Sequence, residues 1–206
     1  MPPAHHCGPG IRVPLPAELA AALHLLSRLA YAGGVGWALR QQDRRQLFTR
    51  GGDVEAGFRR FRRVASTVMN LDAVSFVILC LVTRGSLGGG IAPVVLVPVG
   101  LMLVAAGIGI KLWAARSLGG RAYYWYDFFV PESAALPDPP GPYRYLDNPM
   151  YTLGYLHAYG FALMCGSAWG LAAAVFDQAA ILSFHYAVER PHVERLFAGR
   201  VPPGYL

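Results

Sequence analysis

The chain has 206 residues, of which 54% are hydrophobic and 15% charged, and its mean hydropathy is positive. That is too apolar for an ordinary soluble domain; it places the chain among all-α integral membrane proteins, with room for one small bundle of four to five transmembrane helices at about 20 residues each. The net charge of +6 would suit nucleic acid, but the basic residues stand beside apolar spans, which points to a membrane surface and to no nucleic-acid partner.

Residues 1–16 hold five prolines, lack the basic and then apolar pattern of a signal peptide, and are expected to form a disordered tail. Within them His5, His6 and Cys7 are either solvated or metal-binding; Cys7, Cys80 and Cys165 show no metal-ligand or disulfide spacing. The membrane domain is assigned to residues 17–206. Residues 17–39 form a first helix; Glu18, His24, Arg28 and the Gly33-Gly34-Val35-Gly36 stretch leave open whether it crosses the bilayer or re-enters. Residues 40–63 carry eight arginines against Asp43, Asp53 and Glu55 and read as a cytoplasmic loop.

Residues 64–83 form a second span interrupted by Asp72, residues 85–90 a glycine-rich turn, and residues 91–110 a span without a charge, reaching the interface at Trp113 and Arg116. Residues 117–150 are a connection too long for a simple turn and rich in aromatics, the mark of a functional loop. Pro149 behind Asn148 predicts a helix starting near Met150 with Asn148 as its N-cap, its free N–H groups suited to a ligand carboxylate. Residues 151–165 and 168–188 then make a helical hairpin turned at Gly166-Ser167, and Pro191 is expected to end the last helix near Glu189 or Arg190. By face, Lys and Arg divide fourteen to two in favour of the end that carries the long loop and the tail. That end is therefore assigned to the cytoplasm.

Arg144-Tyr145-Leu146-Asp147-Asn148-Pro149-Met150-Tyr151 resembles a segment of the integral-membrane methyltransferases that include phosphatidylethanolamine N-methyltransferases and isoprenylcysteine carboxyl methyltransferases. The Leu-Asp-Asn-Pro-Met-Tyr form is closer to the phospholipid branch, since the other branch has Arg-His-Pro there. Val188-Glu189-Arg190-Pro191-His192 is similar to the Glu-Glu-Pro segment after that family's last helix, with Arg190 where the second glutamate stands. Tyr123-Tyr124-Trp125-Tyr126-Asp127-Phe128-Phe129 resembles an aromatic element of the larger fungal enzymes, and Gly107-Ile108-Gly109 the family's donor-binding Gly-x-Gly. The resemblance implies S-adenosylmethionine as cosubstrate, a membrane phospholipid as acceptor, and Gly107, Gly109 and Glu189 in donor binding. No obligate protein partner is evident from the sequence.

Holding such a donor requires a carboxylate for its ammonium and ribose hydroxyls, an arginine or free N–H groups for its carboxylate, and an aromatic slot for its base. Glu189, Arg144 with the Asn148 helix start, and Tyr143, Tyr151 and Trp125 supply these on one face. The alternative for Glu189 is an ion pair with Arg190 or Arg195, and for Gly107 and Gly109 close helix packing. A proton acceptor for the amine is expected among Asp127, Asp147, His157 and His185. Arg28, Asp72, Lys111 and Asp177 are ionisable groups within spans, read as structural pairs or substrate contacts, with Asp72 the foremost case of the latter. No metal site is expected, Pro191 separating His185 and Glu189 from His192. Two other functions share these residues: methylation of a prenylcysteine carboxylate or small thiol, and a non-enzymatic membrane scaffold.

Overall fold

The computed structural model describes residues 15–88, 90, 93–133, 141–146 and 148–197; the expected N-terminal tail falls almost wholly outside them. Every regular element among these residues is helical. Helix α1 (Ala17–Leu29) passes through a π turn (Ala30–Val35) into α2 (Gly36–Arg45), with right-handed helical backbone at each junction. The chain therefore runs on through Gly33 and Gly34 as one continuous helical rod. The rod is inverted relative to a soluble helix: His24 and Arg28 are buried with Ala20, Tyr31 and Val35, while Leu19, Leu23 and Leu26 are exposed. A hydrocarbon surround selects that distribution, because ionisable groups must face the interior or pair.

Helix α3 (Val54–Val82) starts ten residues before the expected span, at the N-cap Asp53, whose side chain accepts the Ala56 N–H at 2.8 Å. The arginines expected in a loop are thus largely helical, on α2 and the first turns of α3. Arginine is a good helix former, and its long stem lets a rod end carry the charge out to the interface.

Helix α4 (Pro93–Leu118) is followed by the long connection, and the hairpin by α5 (Leu156–Met164), a turn at Gly166 with φ +57°, and α6 (Ala168–Phe184). A second π turn (His185–Glu189) leads into α7 (Arg190–Leu196). Contrary to expectation, Pro191 does not end this rod. It sits in the first turn of α7, where its missing N–H is tolerated, and the Ala187 carbonyl that would have taken that N–H accepts the Arg40 guanidinium at 2.7 Å. Among the described residues three helices, Val54–Val82, Pro93–Leu118 and Ala168–Leu196, are long and apolar enough to cross a membrane.

Helices α4 and α5 meet backbone to backbone. A Cβ on Gly100 would lie 2.6 Å from Gly160 O, and one on Gly107 would collide with His157 N, as small residues permit in membrane bundles. Helix α3 packs on α1 and α6, and its end is tied to the α5–α6 turn by a buried Thr83–Ser167 hydroxyl contact of 2.6 Å.

Candidate functional site

Within this bundle lies a cavity of about 1190 Å³, bounded by α1, α3, α4, α6, the second π turn and the connection after α4. The connection is positioned by its aromatics. Two short 3₁₀ turns, Ala122–Tyr124 and Tyr126–Phe128, are joined at Trp125, whose φ is +56°. A left-handed backbone on a bulky residue costs on the order of 1–3 kcal/mol and persists only where its surroundings over-determine it. Here Tyr126 and Phe129 lie 4.7 and 5.4 Å from the Phe58 ring, and Trp125 itself packs edge-on to Phe184 at 5.5 Å.

The strained turn aims the indole N–H of Trp125 at Glu189 Oε1. The Tyr151 hydroxyl donates to the same oxygen at 2.8 Å, and His185 Nδ1 lies 2.7 Å from Oε2. Burial, with the Glu189 charge beside it, pushes the Tyr151 hydroxyl well above the usual tyrosine range, so it remains the donor. Neither expected arginine pairs with Glu189: Arg190 turns away to Glu194 at 2.9 Å and Arg195 bonds Asp43. A carboxylate offers about four acceptor positions, and three around Glu189 are filled by this chain. His185 Nε2 is buried without a hydrogen-bond partner.

Asp127 lines the same cavity, its Oδ2 3.5 Å from His192 Nε2. His192 is stacked on Phe128 at 3.6 Å and anchored through Nδ1 to Asp43 at 2.8 Å. Burial raises the Asp127 carboxyl to about 6, against the opposing pull of His192. Among the described residues no group of three or more His, Cys, Asp or Glu converges on a metal position.

Of the residues singled out by sequence, Tyr143, Asn148, Tyr151, His185, Glu189 and Asp127 line one cavity. Three do not. Arg144 is exposed and off the wall, Gly107 is buried against the His157 backbone, and Gly109 is exposed with open space around it. Asp147 lies outside the described residues. The helix start expected at Asn148 is also absent. Asn148 has φ +48°, and its carbonyl accepts the Tyr151 and Thr152 N–H groups at 3.1 Å in a turn. Helix α5 opens only at Leu156. Asparagine tolerates that backbone as few residues do, so it closes a turn where a β-region cap was expected.

Sequence reading did not assemble the cavity's other wall. Arg28 donates to Asp72, Asp177 and Tyr155 at 2.7, 2.8 and 3.1 Å, and Lys111 stands over the Tyr155 ring at 4.9 Å. The available signal was each residue's presence in a span, which marks a polar interior without saying who pairs with whom.

Residues 95–200 match the family described as phospholipid methyltransferase. Curated relatives include phosphatidylethanolamine N-methyltransferases of Pyricularia oryzae, 34% identical over 66% of this chain and 14% of that protein, and of Malassezia globosa, 32% identical over 69% and 15%. That of Saccharomyces cerevisiae is 37% identical over 48% of this chain and 11% of its own length. The chain thus spans roughly a seventh or less of the length of these relatives. No solved structure matches.

Proposed function

The chain belongs to the phospholipid methyltransferase family, and from that membership we propose that it transfers a methyl group from S-adenosylmethionine to the headgroup amine of phosphatidylethanolamine or its methylated derivatives. The observation that carries the reading is Glu189, held by Trp125, Tyr151 and His185 on the wall of an aromatic-rich cavity. With three acceptor positions filled, the carboxylate keeps about one for an ammonium or a ribose hydroxyl. Its donors are locked, so it presents that position with little reorganisation.

The cosubstrate supplies an activated methyl on a sulfonium. The chain's tasks are to hold it, to exclude water, and to take the proton of the attacking amine. Tyr143 and Trp125 offer flat surfaces for a purine, and the Asn148 turn offers polar contacts. For the proton, Asp127 and His185 line the cavity, and Asp127, raised to about 6 by burial, is closer in basicity to an acceptor working near neutrality than an ordinary aspartate. Asp147 stays a further candidate. The arginine-rich end of the bundle, where Glu55 pairs with Arg121 beside the cavity, faces the cytoplasm in this reading, so that the soluble donor reaches Glu189 from that side.

The test is transfer of radiolabelled methyl from S-adenosylmethionine by the purified chain in mixed lipid vesicles, with Glu189→Ala alongside and products separated by headgroup. Label in methylated phosphatidylethanolamine that the variant loses is the expected result. Label in another acceptor would move the substrate to a prenylcysteine or thiol. Failure to bind the donor at all would favour a scaffold.

A further inference from the structure

Helices α3 and α4 follow each other in the chain yet barely touch: α4 packs on α5, and α3 on α1 and α6. Between them lies a flank of the cavity, with Asn70, Ala73 and Val77 from α3 facing Val104, Ile108 and Lys111 from α4. Asn70, Ala73, Val77 and Ile108 are exposed, so the cavity opens sideways between two membrane-crossing helices, toward hydrocarbon.

Behind this opening stands the charge cluster. Asp177 binds through Oδ1, which takes Arg28 Nε at 2.8 Å and lies 3.2 Å from His24 Nε2. Asp72 pairs through Oδ2 with Arg28 Nη2 at 2.7 Å, while its Oδ1 is the one buried oxygen of the cluster without a hydrogen-bond partner among the described residues. Lys111 forms no ion pair among the described residues; its ammonium rests on the Tyr155 ring. An unmatched buried carboxylate oxygen and an unmatched ammonium are each costly, and such exceptions in a cavity wall call for a partner. With Arg28 and Lys111 against Asp72 and Asp177 the cluster is neutral, and what it leaves unmatched is one negative and one positive position. That is the complement of a zwitterion.

We propose that this wall seats the acceptor's headgroup: Asp72 takes the ammonium through Oδ1, Lys111 takes the phosphodiester, and the acyl chains leave between α3 and α4. Arg28 is a positioning residue that fixes Asp72 through Oδ2. The seat rests on the phospholipid reading above and deepens it. Arg28 and Asp72 precede residue 95, where the family match begins. An anionic lipid without an amine would leave Asp72 unmatched, so the seat also selects zwitterionic lipids over acidic ones.

Two measurements on the full chain test it: equilibrium binding of radiolabelled phosphatidylethanolamine in non-ionic detergent, and methyl transfer to that lipid in vesicles. Asp72→Asn and Lys111→Gln are each expected to weaken lipid binding, and to raise the KM for lipid, by about tenfold or more, with donor affinity unchanged. Wild type is expected to prefer the phosphodiester lipid to its phosphate-methylated triester, and Lys111→Gln to lose that preference. Unchanged lipid affinity in both variants, or a triester bound by wild type as tightly as the diester, overturns the seat. Lipid binding with this dependence but no methyl transfer would keep the seat and remove the methyltransferase reading. Should Asp72→Asn fail to fold, Lys111→Gln, whose ammonium is in no ion pair, decides together with the triester.

Discussion

Arg40 donates to the carbonyl of Ala187, four residues before Pro191, and so occupies the acceptor that an unbroken α-helix would have given to residue 191. A proline that reads as a helix end is thereby accommodated by a side chain from another rod. The consequence reaches the cavity wall, since the π turn that contains Ala187 also carries His185 and Glu189. Arg40→Ala is expected to destabilise the fold by roughly 0.5–1.5 kcal/mol. The loss should shrink in a Pro191→Ala background, where the backbone can satisfy its own carbonyl. Thermal unfolding of the four proteins of this cycle measures the coupling.

The Gly-x-Gly pair separates two explanations that sequence leaves joined. Gly107→Ala drives a methyl group into the backbone of His157 on α5, where neither rod can yield without parting. A loss of about 1–3 kcal/mol or more is expected. Gly109→Ala meets open space and is expected to change stability by no more than about 0.5 kcal/mol, with donor affinity unaltered. Weakened donor binding by the Gly109 variant would return that residue to the site.

What the sequence disclosed follows the range of the forces involved. The apolar runs behind α3, α4 and α6 are local, continuous signals, and the turn at Gly166 is marked by its own residue type. The aromatic loop and Glu189 were visible as residue types, though not their bond through Trp125. What escaped depends on partners distant in the chain. Arg40 beside Pro191, Arg28 between Asp72 and Asp177, and Gly107 beneath His157 are pairings about 44 to 151 residues apart in this numbering, which no local pattern encodes. Asn148 failed for the opposite reason. Its side chain does accept the Tyr151 N–H at 3.4 Å, but the same N–H also goes to the Asn148 carbonyl at 3.1 Å, and the turn continues through Thr152 and Gly154 and delays α5 to Leu156.

Trp125→Phe removes the indole N–H from Glu189 while keeping an aromatic body against Phe184. Tyr151→Phe removes the second donor to the same oxygen. Each is expected to lower donor affinity about tenfold by releasing the carboxylate from its fixed position. Because both act on one group, the double variant should lose less than the product of the two. Isothermal titration with S-adenosylmethionine reads all four states. Full additivity would mean that the two donors do not act through Glu189.

Asp127 makes the pH dependence specific. Its carboxyl titrates at about 6 in the fold because burial disfavours the anion, against about 3.9 in the unfolded chain. Between those values the folded protein keeps a proton that the unfolded chain has released. Stability from this group is therefore fully present below about pH 4 and is lost as pH rises through about 6. Asp127→Asn, which cannot ionise, is expected to flatten that slope, raising the unfolding temperature relative to wild type more at pH 7 than at pH 4. The neighbouring His192 opposes the shift by favouring the anion, so His192→Gln should push the Asp127 midpoint higher and steepen the loss. Unfolding temperatures of the three proteins across pH 4 to 8 test the assignment, and parallel curves for wild type and Asp127→Asn would place the titrating group elsewhere.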